Sequence, residues 1–268
     1  MENNMQQNPG VPVFEIELLF SACPGAASQD GLQKALAARF GSAEGENGVF
    51  QIGKYPVKVC VSQPEPFDAS EISDFTRSQM WNVKDAGTLL SYCTHRVKIA
   101  DEGAQEMHYK ERGDLVVQMT EAVLEQYPEC VAVYTPSAGR LLTVEQVRRN
   151  PARGADRFLF LCVNTRFFSM DGTDQNVLVD TVGLSSVCLP DLQYHFHSLN
   201  PSSVMKHAYS VASLLCAVGP MMKSGETIDG MDNHGITQEI RWPFQYQQAT
   251  VEPPRIVMAI TPGDYAVK

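Results

Sequence analysis

The sequence contains no apolar run long enough to cross a membrane. Its most apolar stretch, residues 204–222, is interrupted by Lys206 and His207, and the spacing of its apolar residues predicts an amphipathic helix. The first ten residues, MENNMQQNPG, lack the basic start and the apolar centre of a secretory signal. We therefore expect a soluble protein that begins with a disordered tail over residues 1–12.

Positive charge is scarce. The chain has 21 Lys and Arg residues against 31 Asp and Glu residues, which gives a formal net charge of −10. An acidic surface without a dense basic patch does not attract polyanions, so we expect neither nucleic acid nor a membrane surface as a partner. Hydrophobic residues make up 44% of the chain, which is enough for an ordinary folded globular protein.

A disulfide framework is not indicated either. The seven cysteines are odd in number, form no C-x-x-C pair, and mostly lie in apolar stretches such as VKVCV and FLFLCV. Reduced, buried thiols of this kind are typical of cytosolic proteins. The cysteine pattern therefore predicts a cytoplasmic location.

The motifs of several enzyme classes are also missing. Neither GxGxxG nor GxxxxGK[ST], the glycine-rich loops that hold phosphates, occurs in the chain. In VGLSSVC, Val187 stands where the nucleophile elbow GxSxG requires its second glycine. The zinc-protease motif HExxH is absent as well. These absences favour a function in binding over one in catalysis.

Strands and helices alternate irregularly along the chain, which predicts the α+β fold class. The order up to residue 103 is β-α-β-β-α-β, so we expect residues 13–103 to form a ferredoxin-like half. Its second helix would carry Ala69, Ile72 and Phe75 on one apolar stripe. Residues 104–268 would form a second α+β half with a mixed or antiparallel sheet, packed against the first.

Within the second half, a long helix is expected over residues 107–127 and a strand over DRFLFLCVNTRFF (156–168). A further helix would begin with Asn200 as its N-cap and Pro201 in its first turn, because a side-chain oxygen and a fixed φ angle suit those two positions.

The stretch DLQYHFHS (191–198) alternates polar and apolar residues, as a strand with one buried face does. The apolar side chains, Leu192, Tyr194 and Phe196, would face the core. The other side, exposed or facing a groove, would carry what we call the polar row: Asp191, Gln193, His195 and His197. This polar row is the candidate binding site.

Two histidines two residues apart in a strand can share a metal ion, which makes a metal-dependent or small-molecule enzyme the alternative function. Its site would include Asp191, His195 and His197, with His207 as a further metal-ligand candidate, and loop 223–235 could bring His234 nearby. No motif fixes the spacing of a third ligand. The pattern therefore favours a strand surface, and we expect no resident cofactor.

Four segments carry a family resemblance: TVGL (181–184), LPDLQYHFHSLNPSSVMKHAYSVASLL (189–215), SGETIDG (224–230) and EPPRIVMAITPGDYA (252–266). In them the chain resembles the DUF4261 family, bacterial proteins of unknown function. That family has no established activity. The resemblance therefore implies a soluble bacterial protein and assigns no catalytic residues.

From these observations we expect a non-enzymatic binding protein whose partner is another protein or a second copy of itself.

Overall fold

The computed structural model describes residues 13–53, 55–173, 175–220, 222–232 and 235–267, which form two β-sheets with helices packed on them. This arrangement confirms the α+β fold class. No helix in these ranges is long and apolar enough to span a lipid bilayer. The tail predicted for residues 1–12 and the side chain of His234 lie outside the described residues.

The first sheet has eight strands. They are β1 (Glu15–Phe20), β2 (Ala43–Glu46), β3 (Val49–Ile52), β4 (Lys58–Val61), β5 (Glu65–Pro66), β6 (His95–Glu102), β7 (Ala132–Thr135) and β8 (Arg140–Thr143). Their order is β2-β3-β4-β6-β1-β7-β8, β5 pairs with β6, and every pairing is antiparallel. The helices of this part of the chain are α1 (Gln29–Phe40), α2 (Asp74–Ser78), α3 (Ala86–Tyr92), α4 (Tyr109–Leu124) and α5 (Val144–Arg149).

The ferredoxin-like arrangement is not confirmed. In that fold the first strand lies between the hairpin and the last strand, whereas here β6 lies between β4 and β1. The other edge of β1 pairs with β7, and β8 follows. Strands from beyond residue 103 thus complete the first sheet. The domain division at residue 103 stays a prediction. In the chain, the strands of the second sheet begin only after β8.

The second sheet has six strands: β9 (Asn164–Ser169), β10 (Val177–Val182), β11 (Asp191–Phe196), β12 (Thr227–Asp232), β13 (Gly235–Gln248) and β14 (Ile256–Ile260). Their order is β12-β13-β14-β11-β10-β9. Only β11 and β14 are parallel, so the sheet is mixed, as expected. Helices α6 (Gly154–Cys162) and α7 (Pro201–Val218) belong to this part of the chain.

Residues 156–168 do not form one strand, which corrects the expectation from the sequence. Helix α6 occupies the first seven of them, and β9 begins at Asn164. Phe158, Leu161 and Cys162 are all buried on this helix. A continuous apolar run fits a buried helix as well as a buried strand, so periodicity could not separate the two.

The start of α7 is the one that the sequence predicts. The Asn200 side chain accepts a hydrogen bond from the backbone N–H of Ser202 (2.9 Å), and Pro201 is the first helical residue. The helix ends at Gly219, whose φ of 81° lies in the left-handed region that favours glycine. The capping residues therefore determine both ends of α7.

The two sheets share an apolar core, and a buried arginine connects them. Arg112 on α4 holds Asp101 of β6 through its Nε (2.7 Å to Oδ2), and both residues are fully buried. The Nη1 of the same arginine donates to the carbonyl oxygen of Ser186, in the turn between β10 and β11 (2.8 Å). Arg112 thus connects the first sheet to the second.

Candidate functional site

Strand β11 lies inside the second sheet, between β10 and β14. Leu192, Tyr194 and Phe196 are completely buried, so the predicted alternation of the strand is confirmed on its apolar face. Helix α7 packs on this part of the sheet. The opposite face carries the polar row, and its first two members are buried as well.

Asp191, the first member of the polar row, is fully buried and takes part in several contacts. Its Oδ1 accepts hydrogen bonds from the Thr181 hydroxyl (3.0 Å) and the Leu184 N–H (3.1 Å). Its Oδ2 lies 3.4 Å from both the Ser185 N–H and the Arg255 Nε. Burial raises the pKa of Asp191, while Arg255 and these hydrogen bonds oppose the rise. The carboxylate is therefore committed to the protein itself.

Arg255 extends this contact into a larger network, which we call the buried ion network and define as Asp180, Asp191, Arg166 and Arg255. Asp180 on β10 is fully buried and accepts from both arginines at 2.6 Å. Arg166 on β9 binds it with two nitrogens, its Nε lying 2.9 Å from Oδ1. Two acidic and two basic groups balance each other, as burial of charge requires.

Gln193 on β11 lies beside Asp180, on the side away from Arg166. Its amide donates to the Thr250 hydroxyl (2.9 Å) and accepts from the Thr250 N–H (2.8 Å). Thr250 and Arg255 both belong to the segment between β13 and β14. That segment covers the start of the polar row, which explains why Asp191 and Gln193 do not reach solvent.

The three candidate histidines each have a separate partner. The Nε2 of His195 lies 2.6 Å from the side-chain oxygen of Asn176, and partial burial lowers the pKa of this histidine. The Nδ1 of His197 lies 3.1 Å from the Ser198 hydroxyl. Neither histidine shares a partner with Asp191.

His207 lies on the opposite side of the sheet, buried on α7. Its Nε2–H donates to the carbonyl oxygen of Asp229 (2.8 Å), so its Nδ1 accepts from the Tyr194 hydroxyl (2.9 Å). This neutral tautomer satisfies both ring nitrogens, and burial lowers the pKa of His207. His207 therefore fastens α7 to β11 and β12.

The metal-ligand candidates are thus not brought together. Asp191 and His195 are four residues apart in an extended strand, which separates their Cα atoms by about 13 Å. His207 lies across the sheet from both. Among the residues that the structure describes, no three His, Cys, Asp or Glu side chains converge closely enough to hold a metal ion.

The buried ion network ends beneath an exposed aromatic surface at the edge strand β9. The guanidinium of Arg166 lies 5.1 Å from the ring centre of Phe168 and 5.8 Å from that of Phe75. Those two rings stack on each other, with centres 5.7 Å apart and planes 7° apart. Phe75, on α2, is 47% exposed.

Trp81 is connected to the same edge strand, β9, through Gln79. Its indole N–H donates to the side-chain oxygen of Gln79 (3.1 Å), and the same oxygen accepts from the backbone N–H of Phe167 on β9 (3.1 Å). Trp81 is 56% exposed, and Met170 at the end of β9 is 39% exposed. We define the aromatic surface as Phe75, Trp81, Phe168 and Met170.

Reasoning from the sequence missed both the buried ion network and the aromatic surface. One signal for the network was present, since Asp180 interrupts the otherwise apolar strand VLVDTV and a buried carboxylate requires a cation. The identity of that cation was not readable, because Arg255 lies 75 residues further along the chain.

Comparison with known proteins identifies one family. The sequence model of the DUF4261 family, described as a domain of unknown function, matches residues 180–261. No curated protein and no solved structure matches the chain. The match covers the second half of β10, then β11, α7 and β12 to β14, and thus includes Asp180, Asp191 and Arg255 of the buried ion network. The resemblance to the DUF4261 family that was predicted from residue 181 onward is confirmed over residues 180–261.

Proposed function

We propose that the protein acts by binding, without catalysis, to another protein or to a second copy of itself, and that the aromatic surface is the contact. One observation supports this most strongly: the exposed ring of Phe75 stacks on the partly buried ring of Phe168, and both rings lie against a buried guanidinium. Large exposed apolar patches are uncommon on soluble monomers and mark interaction sites, whereas single exposed apolar side chains do not.

The aromatic surface is also preorganised. Asp180 holds Arg166 through two hydrogen bonds, and Arg166 in turn lies against both phenylalanine rings. Gln79 fixes the Trp81 indole in the same way. Side chains that are already ordered lose little conformational entropy on binding, and aromatic residues dominate the energy of protein interfaces.

The alternative, a metal-dependent or small-molecule enzyme around Asp191, His195 and His197, has less support. The Asp191 carboxylate is occupied by backbone N–H groups, Thr181 and Arg255. The two histidines contact different neighbours. An enzyme of this kind requires those three side chains to meet in a cleft, and they are dispersed along the strand.

Cytoplasmic location and bacterial origin belong to the same proposal. All seven cysteines are free thiols. Burial raises the pKa of Cys93 to about 11 and that of Cys130 and Cys216 to about 12, so these three are unreactive at neutral pH. This pattern supports a reducing compartment.

Self-association is the form of binding that can be tested with the purified chain alone. Light scattering coupled to gel filtration over a wide concentration range should give a mass approaching twice 29.6 kDa. Phe75→Ala and Trp81→Ala should each weaken the dimer by about 2 kcal/mol, roughly thirtyfold in Kd, if these rings are central to the contact.

Leu214→Ala is the matched control for this experiment. Leu214 is 46% exposed on α7, on the opposite side of the second sheet from Arg166 and Phe168. We expect its replacement to leave the dimer unchanged. A mass of 29.6 kDa at every concentration would contradict self-association, and an equal effect of Leu214→Ala would contradict the placement of the contact.

A further inference from the structure

Glu17, in the middle of β1, is a buried carboxylate that lacks a full set of partners. It is 4% exposed, and its Oε2 is buried without a hydrogen bond. Its cross-strand neighbours are Lys98 on β6 and Tyr134 on β7. The nearest cation is Arg96, whose Nη1 lies 3.3 Å from the other carboxylate oxygen, Oε1.

Arg96 is shared with two more carboxylates. The same Nη1 lies 2.7 Å from Glu71, and its Nε lies 2.8 Å from Glu65. Lys98 also binds Glu65, at 2.9 Å. Arg96 is thus closer to its two outer partners than to Glu17. A neutral Glu17 fits this geometry, because it leaves no buried negative charge with an unpaired oxygen.

The groups that face Glu17 come from every element around it. They are Glu15 of β1, Arg96 and Lys98 of β6, Glu65 of β5, Glu71 of the short 3-10 helix Ala69–Glu71, and Tyr134 of β7. With Glu17 ionised, four carboxylates would face two cations. Burial raises the pKa of Glu17 to about 7, against the opposing effect of Arg96, and it raises the pKa of Tyr134 to about 12. Glu17 therefore changes its charge near neutral pH, and Tyr134 stays neutral.

The ion pairs of Arg96 hold the segment that leads to the aromatic surface. Glu65 and Glu71 lie shortly before α2, which carries Phe75. Arg77 on α2 connects this helix to the short 3-10 helix before it, because its Nη1 donates to the Ala69 carbonyl oxygen (3.0 Å). The position of Phe75 thus depends on where residues 65–71 rest on the first sheet.

We propose that Glu17 is a proton-operated switch for the aromatic surface: neutral Glu17 leaves Arg96 to hold residues 65–78 in place, and ionised Glu17 competes for Arg96 and loosens them. This inference rests on the proposed function only where it concerns binding. On ionisation the proton passes to solvent, and the buried charge is relieved either by Arg96 turning toward it or by water entering under residues 65–78.

Hydrogen exchange measured by mass spectrometry tests the switch without reference to binding. A group with a pKa of about 7 is about 10% ionised at pH 6 and about 90% ionised at pH 8. Exchange of residues 65–78, corrected for its intrinsic pH dependence, should therefore rise up to about ninefold between these two values. Glu17→Gln keeps the shape of the neutral side chain and should abolish the rise.

Glu44→Gln is the matched control, since Glu44 is an exposed carboxylate on β2 of the same sheet. This variant should retain the pH response of the wild type. An identical pH response in the wild type and Glu17→Gln would overturn the switch, whether or not the chain associates.

The mass of the same samples at the two pH values separates the switch from the proposed function. We expect association at about pH 6 to exceed that at about pH 8 in the wild type, and to be equal at both in Glu17→Gln. Association that varies identically in the two proteins would overturn the switch. A monomer in every sample, together with the expected exchange pattern, would support the switch and contradict self-association.

Discussion

Replacing Asp191 with alanine should destabilise the second sheet severely, because this carboxylate satisfies several buried groups at once. The substitution leaves the N–H groups of Leu184 and Ser185 without an acceptor and removes the anion beside Arg255. Each orphaned donor costs about 1–3 kcal/mol, and breaking a buried ion pair costs about 3–5 kcal/mol. We expect a loss of about 3–5 kcal/mol in the free energy of unfolding, since Arg255 keeps Asp180 as a second partner.

The fluorescence of Trp242, which is buried on β13, reports this unfolding in urea. A double variant, Asp191→Ala with Arg255→Met, should lose less stability than the two single variants added together, by at least about 1 kcal/mol, because the unpaired cation is removed as well. His195→Ala serves as the control on the same strand. It should cost about 1 kcal/mol, since it loses one hydrogen bond at a half-buried position. A cost below about 1 kcal/mol for Asp191→Ala would refute the structural role of this carboxylate.

Two further predictions concern the candidate histidines. Because burial lowers the pKa of His207, its contribution to stability is complete above about pH 6.5 and is lost as the pH falls below that value. In urea denaturation, the stability gap between wild type and His207→Gln should therefore narrow from pH 7 to about pH 5, and a gap that stays constant would contradict the neutral, buried histidine. Elemental analysis of the purified chain should show no zinc, manganese or iron whose amount depends on His195 or His197. Stoichiometric metal in the wild type that disappears in His195→Ala and His197→Ala would instead establish the enzyme alternative.

Local features of the fold were predictable from the sequence. The alternation of residues 191–196 identified the buried side chains of β11, and Asn200 and Pro201 marked the start of α7. Both depend on side chains that act within a few residues of their own backbone. The irregular order of strands and helices predicted a mixed or antiparallel second sheet, and the parallel pair of β11 and β14 makes it mixed.

Long-range pairings were not predictable. Arg166 binds Asp180 from the neighbouring strand. The second cation that binds this carboxylate, Arg255, lies in the segment before β14. The stacked rings of Phe75 and Phe168 come from helix α2 and from strand β9 of the second sheet, so no spacing in the sequence relates them. Periodicity was also insufficient near Phe75, because Ser73 caps a new helix there. Phe75 thereby leaves the apolar stripe predicted for it and faces solvent.

The polar row lies on one face of β11, as the alternation predicted, but its first two residues are buried, which the alternation did not show. A strand that is buried on both faces still alternates polar and apolar residues when the polar side chains of one face form hydrogen bonds and ion pairs. The alternation by itself therefore did not show that Asp191 and Gln193 are buried. Only the segment that carries Thr250 and Arg255 decides this, and its return to β11 depends on the strand order.

A photo-crosslinking experiment tests most directly whether the aromatic surface is the binding contact. A photoreactive phenylalanine analogue placed at position 81, where Trp81 is exposed, should give a product of twice 29.6 kDa on irradiation. Peptide mapping should place the crosslink within residues 74–81 or 164–170 of the second copy. The same analogue in place of Leu214 should give no such product. Crosslinks from position 214 but not from position 81 would contradict the aromatic surface as the contact, and the absence of any dimeric product from position 81 would contradict self-association through it.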